Sequence, residues 1–129
     1  MTDGSEDAVA FERHLGASSA TVAAIAMALR QAVLDRFAGA IEWFDPADGL
    51  LAIGTGRSMR ELVFAIIPHT AHVNLQLLDG ADLPNPDGRI EGTGKRIRHV
   101  KARSVEDVEA PWLRHAIDAQ VAVRRTATG

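Results

Sequence analysis

The stretch Leu62-Val63-Phe64-Ala65-Ile66-Ile67-Pro68-His69-Thr70-Ala71-His72-Val73-Asn74-Leu75-Gln76-Leu77-Leu78 decides the fold. From Arg60 to Ile67 the apolar residues fall at odd and even positions alike, which predicts a strand buried on both faces and therefore central in a sheet. Pro68 ends the run, since it has no N–H to give to a ladder. From Ala71 to Leu78 the pattern alternates, with Val73, Leu75 and Leu77 on one face and His72, Asn74 and Gln76 on the other. One face of this second strand belongs to a core and the other is polar.

Toward the N-terminus, Ile41 to Phe44 and Leu50 to Ile53 flank the turn formers Asp45-Pro46-Ala47-Asp48-Gly49, a hairpin pattern closed by Gly54-Thr55-Gly56. Two helices precede it. Ser5 to Leu15 carries apolar groups at helical spacing, Val9 and Phe11 to Leu15, with Gly16 as its stop. Ser18 or Ser19 caps the second helix, in which Val22, Ile25, Leu29, Val33 and Phe37 share a face; Arg30, Asp35 and Arg36 are expected on the solvated side, and Gly39 ends it.

Toward the C-terminus, a loop rich in turn formers runs from Asp79 to Gly88, and its acids Asp79, Asp82 and Asp87 read as turn chemistry. Arg96 to Ala102 is the last candidate strand. Its apolar residues Ile97 and Val100 stand three apart, so an edge strand and a bulged strand fit equally and the register stays open. Ser104 with Asp107 marks a helix start, and Pro111 restarts a helix with Leu113, Ile117 and Val121 as its stripe. The expectation is a single α+β domain over residues 1–129: an antiparallel sheet of about five strands, covered on one face by N- and C-terminal helices, with frayed ends at about 1–4 and 124–129.

Composition agrees. With 129 residues, 47% hydrophobic and 24% charged, the chain suits one sizeable core. The absence of cysteine excludes disulfides, thiolate-bound metals and a cysteine nucleophile. The acidic start Met1 to Asp7 has no secretory pattern, and Leu62 to Pro68 falls far short of the ~20 residues that span a bilayer, so a cytoplasmic protein with no membrane partner is expected. The net charge of −3 gives no general attraction to nucleic acid, yet charge is unevenly placed. Residues 1–56 hold three basic and eight acidic side chains, whereas residues 89–103 hold six basic ones against the single acid Glu91.

That basic segment is the first candidate site. Gly92 and Gly94 free the backbone, and Lys95, Arg96, Arg98, His99 and Lys101 offer charge-assisted hydrogen bonds to a phosphate or carboxylate, on a small anion or an acidic protein. It is not a nucleotide-phosphate loop, because Gly88 lies one residue too far from Gly94 and Arg96 stands where Ser or Thr would bind magnesium. The competing reading is an edge strand whose charges prevent pairing, or whose polar edge pairs with its copy in a homodimer. His69 and His72 are weak metal candidates, pointing to opposite faces on a regular strand, with His99 as a distant third ligand. Glu42 beside Trp43 and Phe44 lacks any partner for acid–base work and is expected on the exposed side of its strand. No nucleophile–base pair points to an enzyme, and no cofactor is implied by the residues themselves.

Three stretches carry a resemblance: Ile67 to Leu75, Asp82-Leu83-Pro84-Asn85-Pro86, and Gly92-Thr93-Gly94-Lys95-Arg96-Ile97-Arg98-His99-Val100-Lys101. Together they resemble the YdhG-like family, domain of unknown function 1801, over about Ile41 to Val121. The resemblance implies a frataxin-like α+β arrangement with helices on one side of a curled antiparallel sheet. It also implies an alternative function, that of a bacterial frataxin-like iron chaperone binding iron through surface acids; this sequence carries Asp3, Glu6, Asp7 and Glu12 near its N-terminal helix, without a one-by-one match to a family iron motif.

Overall fold

The computed structural model describes residues 4–128, with side chains over 6–126. Helix α1 (Gly4–His14) and helix α2 (Ala20–Arg36) lead into strands β1 (Ile41–Asp45), β2 (Leu50–Gly54), β3 (Leu62–Pro68), β4 (Val73–Leu77) and β5 (Arg98–Ala102), followed by helix α3 (Val105–Glu109) and helix α4 (Pro111–Thr128). The sheet is an antiparallel meander in the order β1-β2-β3-β4-β5, so the expected α+β architecture holds and β3 is central. Its residues Leu62 to Ile66 are all buried.

The helices cover one face. Phe64, Ile66, Val73, Leu75, Leu77, Val100 and Ala102 meet the α2 stripe of Val22, Ile25, Leu29 and Val33 and the α4 stripe of Leu113, Ile117 and Val121. Ser19 caps α2 by accepting from the Val22 N–H at 3.1 Å, and Ser104 caps α3 by accepting from the Asp107 N–H at 3.1 Å; each such cap contributes ~1 kcal/mol. Gly39, at φ +79°, supplies the left-handed step after α2. Phe11 of α1 and Leu15 in the turn that follows it are buried as the spacing predicts, whereas Val9 is exposed.

The outer face is not uniformly polar. Trp43 lies across from Ala52 and packs with Leu50, Leu62 and Leu78, making a small apolar cluster over β1 to β3. This reverses the expected orientation of β1: Glu42 faces inward and is 5% exposed. Arg30 of α2, expected in solvent, reaches in to it with a bidentate pair at 2.6 and 2.9 Å. Hydrogen bonding and the charge of Glu42 raise the Arg30 pKa against the opposing effect of burial. A carboxylate turned inward needs such a partner, and the pair joins α2 to the sheet edge.

A second polar node sits at the opposite end. Asp79, read from sequence as a turn former, is 7% exposed. Its Oδ2 accepts from Gln120 at 2.7 Å and from Arg124 at 2.8 and 3.1 Å, and its Oδ1 from Arg96 at 3.1 Å. Its own N–H donates to Gln120 at 2.8 Å, and Arg124 donates onward to the Leu62 carbonyl at 2.8 Å. The expected fraying from Arg124 therefore gives way to a buried anchor, and α4 continues to Thr128. Burial alone would raise the Asp79 pKa; hydrogen bonds from Gln120, Arg124 and Arg96, with the Arg124 charge, outweigh it and hold the carboxyl below its ordinary value. Replacing Asp79 by Ala removes the carboxylate from the buried Arg124 guanidinium and is expected to cost about 3 kcal/mol in urea unfolding, within the range for breaking a buried pair. Because the folded pKa is depressed, this stabilisation is present above the unfolded value near 3.8 and is lost as pH falls through the folded one. The Asp79→Asn variant is accordingly expected to lose less stability than the parent on acidification below about pH 4; equal acid losses in the two proteins would contradict this role.

Candidate functional site

The ladder between β4 and β5 sorts the basic segment. Leu77 pairs with Arg98, Gln76 with His99, Leu75 with Val100, Asn74 with Lys101 and Val73 with Ala102. Alternation therefore places Arg98 on the helix side with Val100 and Ala102, and sends His99 and Lys101 to the outer face with Asn74 and Gln76. The seven residues named from sequence do not form one patch. Arg96 is committed to Asp79, and the Arg98 Nε–H donates to the Gly94 carbonyl at 2.7 Å, closing its own loop. Gly92 adopts φ +123°, and a β-carbon at Gly94 would stand 2.7 Å from the Ile97 carbonyl oxygen, so both glycines answer backbone demands. Lys95 remains exposed on this loop.

His69 and His72 occupy the turn between β3 and β4, which is closed by the His69 N–H donating to the His72 carbonyl at 2.8 Å. Their rings stack at 4.7 Å and 20°. Stacked imidazoles face each other while their nitrogen lone pairs lie in the ring planes, a poor arrangement for sharing one metal. Among the described residues, no group of three or more His, Asp or Glu is placed to hold a metal ion. Of the acids considered for iron, Asp7 accepts from the Phe44 N–H at 3.0 Å and from Arg57 at 2.6 Å, and Asp3 lies outside the described residues.

The outer side of the β4–β5 edge is cationic. Burial first, then the charges of His69, Lys101, Arg103 and His99, lower the pKa of His72. His99, whose Nε2 is 3.8 Å from Glu91, is also lowered, because burial with Lys101 and His69 outweighs the raising effect of Glu91. At the edge of β5, Gly88, Arg89, Glu91, Lys101, Arg103 and Trp112 line a recess of about 140 Å³. The Arg89 guanidinium lies 4.6 Å above the Trp112 ring, and among the described residues neither the Arg89 nor the Arg103 guanidinium forms an ion pair with a carboxylate, although the Arg103 backbone N–H donates to Asp107 at 2.8 Å. Lys101 reaches Glu91 at 3.8 Å, a loose contact.

The loop that carries Arg89 is held in shape. The Asn85 side chain accepts from the Ile90 N–H and donates to the Ile90 carbonyl, both at 3.0 Å, and Gly88 turns at φ +68°. Between this loop and α4 lies a mainly apolar cavity of about 250 Å³. A wider polar recess beside His14, Ser19 and His69, about 530 Å³, has no lysine or arginine in its walls. Sequence reading counted Arg89 and Arg103 within the basic run without singling them out, and it missed Trp112. The available signal was an aromatic residue directly after the helix-starting Pro111, outside the apolar stripe of α4.

In comparisons with family models, curated proteins and solved structures, nothing matches this chain. Among the described residues, no helix is long and apolar enough to cross a membrane.

The two lowered histidines give the sheet edge a pH signature. In the unfolded chain both imidazoles ionise near 6.5, above their folded values, so the unfolded state takes up protons first as pH falls. The stabilisation is present above pH 6.5 and is lost below it. Nuclear magnetic resonance titration is expected to show His72 and His99 ionising below 6.5, and the joint His72→Gln, His99→Gln variant should lose less stability between about pH 7 and 5 than the parent. Ring pKa values above 6.5 would contradict the assignment.

Proposed function

We propose that this chain is a YdhG-like binding domain that holds an anionic group, on a small molecule or an acidic protein surface, at the edge of β5. The observation that carries the reading is the recess lined by Arg89, Lys101 and Arg103 with the single acid Glu91. The Arg89 guanidinium carbon lies over the Trp112 ring at 4.6 Å, a contact that supports the cation and leaves its N–H donors for a carboxylate or phosphate. The shift of His72 caused partly by Lys101 and Arg103 supports a shared positive field on this surface. Arg96 and Arg98 leave the site, because each already serves the fold.

Hexaglutamate peptide is a suitable probe, titrated by calorimetry at rising salt. Binding is expected to weaken as salt screens the recess. Changing Arg89, Lys101 and Arg103 together to Ala should reduce affinity at least about tenfold, as expected for losing charge-assisted hydrogen bonds, with the circular dichroism spectrum preserved. Arg96→Ala is expected to lower stability and leave binding nearly unchanged. Equal affinity of the triple variant and the parent would sink the proposal.

A further inference from the structure

The cavity behind the recess narrows the class of anion. Its walls are largely apolar, formed by Pro84, Ile90, Val100, Trp112, Ala116 and Ala119. On α4, Trp112, Ala116 and Ala119 fall on one helical face, and the two alanines present only methyl groups where longer side chains would fill the space. The Asn85 amide that borders it donates to the Ile90 carbonyl and accepts from the Ile90 N–H. Arg89 and Trp112 line both the cavity and the cationic recess, so the two spaces meet at that stacked pair.

Size limits the occupant. At about 250 Å³ the cavity exceeds the ~150 Å³ that accommodates benzene and falls below the ~300–1,000 Å³ of drug-sized pockets. A single ring fits this volume. Charge limits it further: Arg89 stands at the cavity and Lys101 and Arg103 at the recess, against Asp87 and Glu91. The sign favours an anionic head at Arg89 with an uncharged body behind it.

We infer that the ligand is a small aromatic monocarboxylate, its ring in the cavity between the Pro84–Ile90 loop and α4 and its carboxylate on Arg89, Lys101 and Arg103. This rests on the anion reading of the β5 edge and adds the apolar body. A carboxylate accepts two parallel N–H bonds from the exposed guanidinium edge, while Trp112 offers the ring an aromatic wall.

The test compares acetate, phenylacetate and hexaglutamate on the full chain by nuclear magnetic resonance titration, following the Trp112 indole N–H and the Ala116 and Ala119 methyl groups. Phenylacetate is expected to bind at least about tenfold more tightly than acetate, since its ring leaves water, and to shift both alanine methyls. Ala119→Leu should fill the cavity, remove the advantage of phenylacetate and leave acetate unchanged. Equal affinities for acetate and phenylacetate in the parent overturn the inference and leave the anion reading standing. So does a phenylacetate advantage that moves neither methyl, or one that persists in a folded Ala119→Leu protein. Hexaglutamate binding without acetate or phenylacetate binding overturns the inference and assigns the recess to a protein surface; failure of all three overturns both readings. The methyl shifts in the parent decide the matter even if Ala119→Leu does not fold.

Discussion

The carboxylate of Asp79 is the constraint on which the functional end of this domain depends. It sits where β4 ends, and it collects donors from α4 and from the loop before β5. Arg124 extends the same network to the start of β3 through the Leu62 carbonyl. A buried carboxylate with so many directed donors tolerates little displacement, because each lost bond leaves a desolvated charge. The long connection between β4 and β5 is thus fixed near both ends, by Asp79 itself and by Arg96. Everything the connection carries, including Arg89 and the Asn85 clamp, is placed against α4 as a result.

Placement of that connection decides which positive charges are free. Six cations within fifteen residues look like one site in the sequence. The fold spends Arg96 on the Asp79 node and Arg98 on its own loop, and the pleat of β5 separates Arg98 from His99 and Lys101. The residual charge gathers instead around Arg89, Lys101 and Arg103. Arg89 precedes Lys101 and Arg103 in the same basic run and is brought beside them by the return of the loop onto the strand, visible in the bridge between Glu91 and His99.

Much of the architecture was legible because its signals are local. The α2 stripe, the alternation of Val73 to Leu77 and the caps at Ser19 and Ser104 each depend on residues within a few positions, and each appears where its spacing predicts. What escaped depends on partners distant in sequence. Ile41 to Phe44 has apolar residues on both faces, so alternation alone could not orient Glu42; its inward position became possible through Arg30. Asp79 has the composition of a turn residue, and only Gln120 and Arg124, more than forty positions away, make it a buried anchor. Arg124 lies past the last apolar residue of the α4 stripe and so resembled an unsupported tail.

The same reasoning explains why a basic segment proved a weak guide to a binding surface. A guanidinium has five donors and a long apolar stem, so it is as well suited to closing a loop or satisfying a buried carboxylate as to meeting a ligand. Discrimination requires knowing which donors are already occupied. Arg89 differs from Arg96 and Arg98 in this respect: its plane is supported by Trp112, and it has no carboxylate partner among the described residues. A cation held over an aromatic face is supported without consuming hydrogen-bond capacity. A cation held in this way, beside an apolar cavity and at a sheet edge, is prepared for a ligand in a manner that charge density along the sequence cannot express.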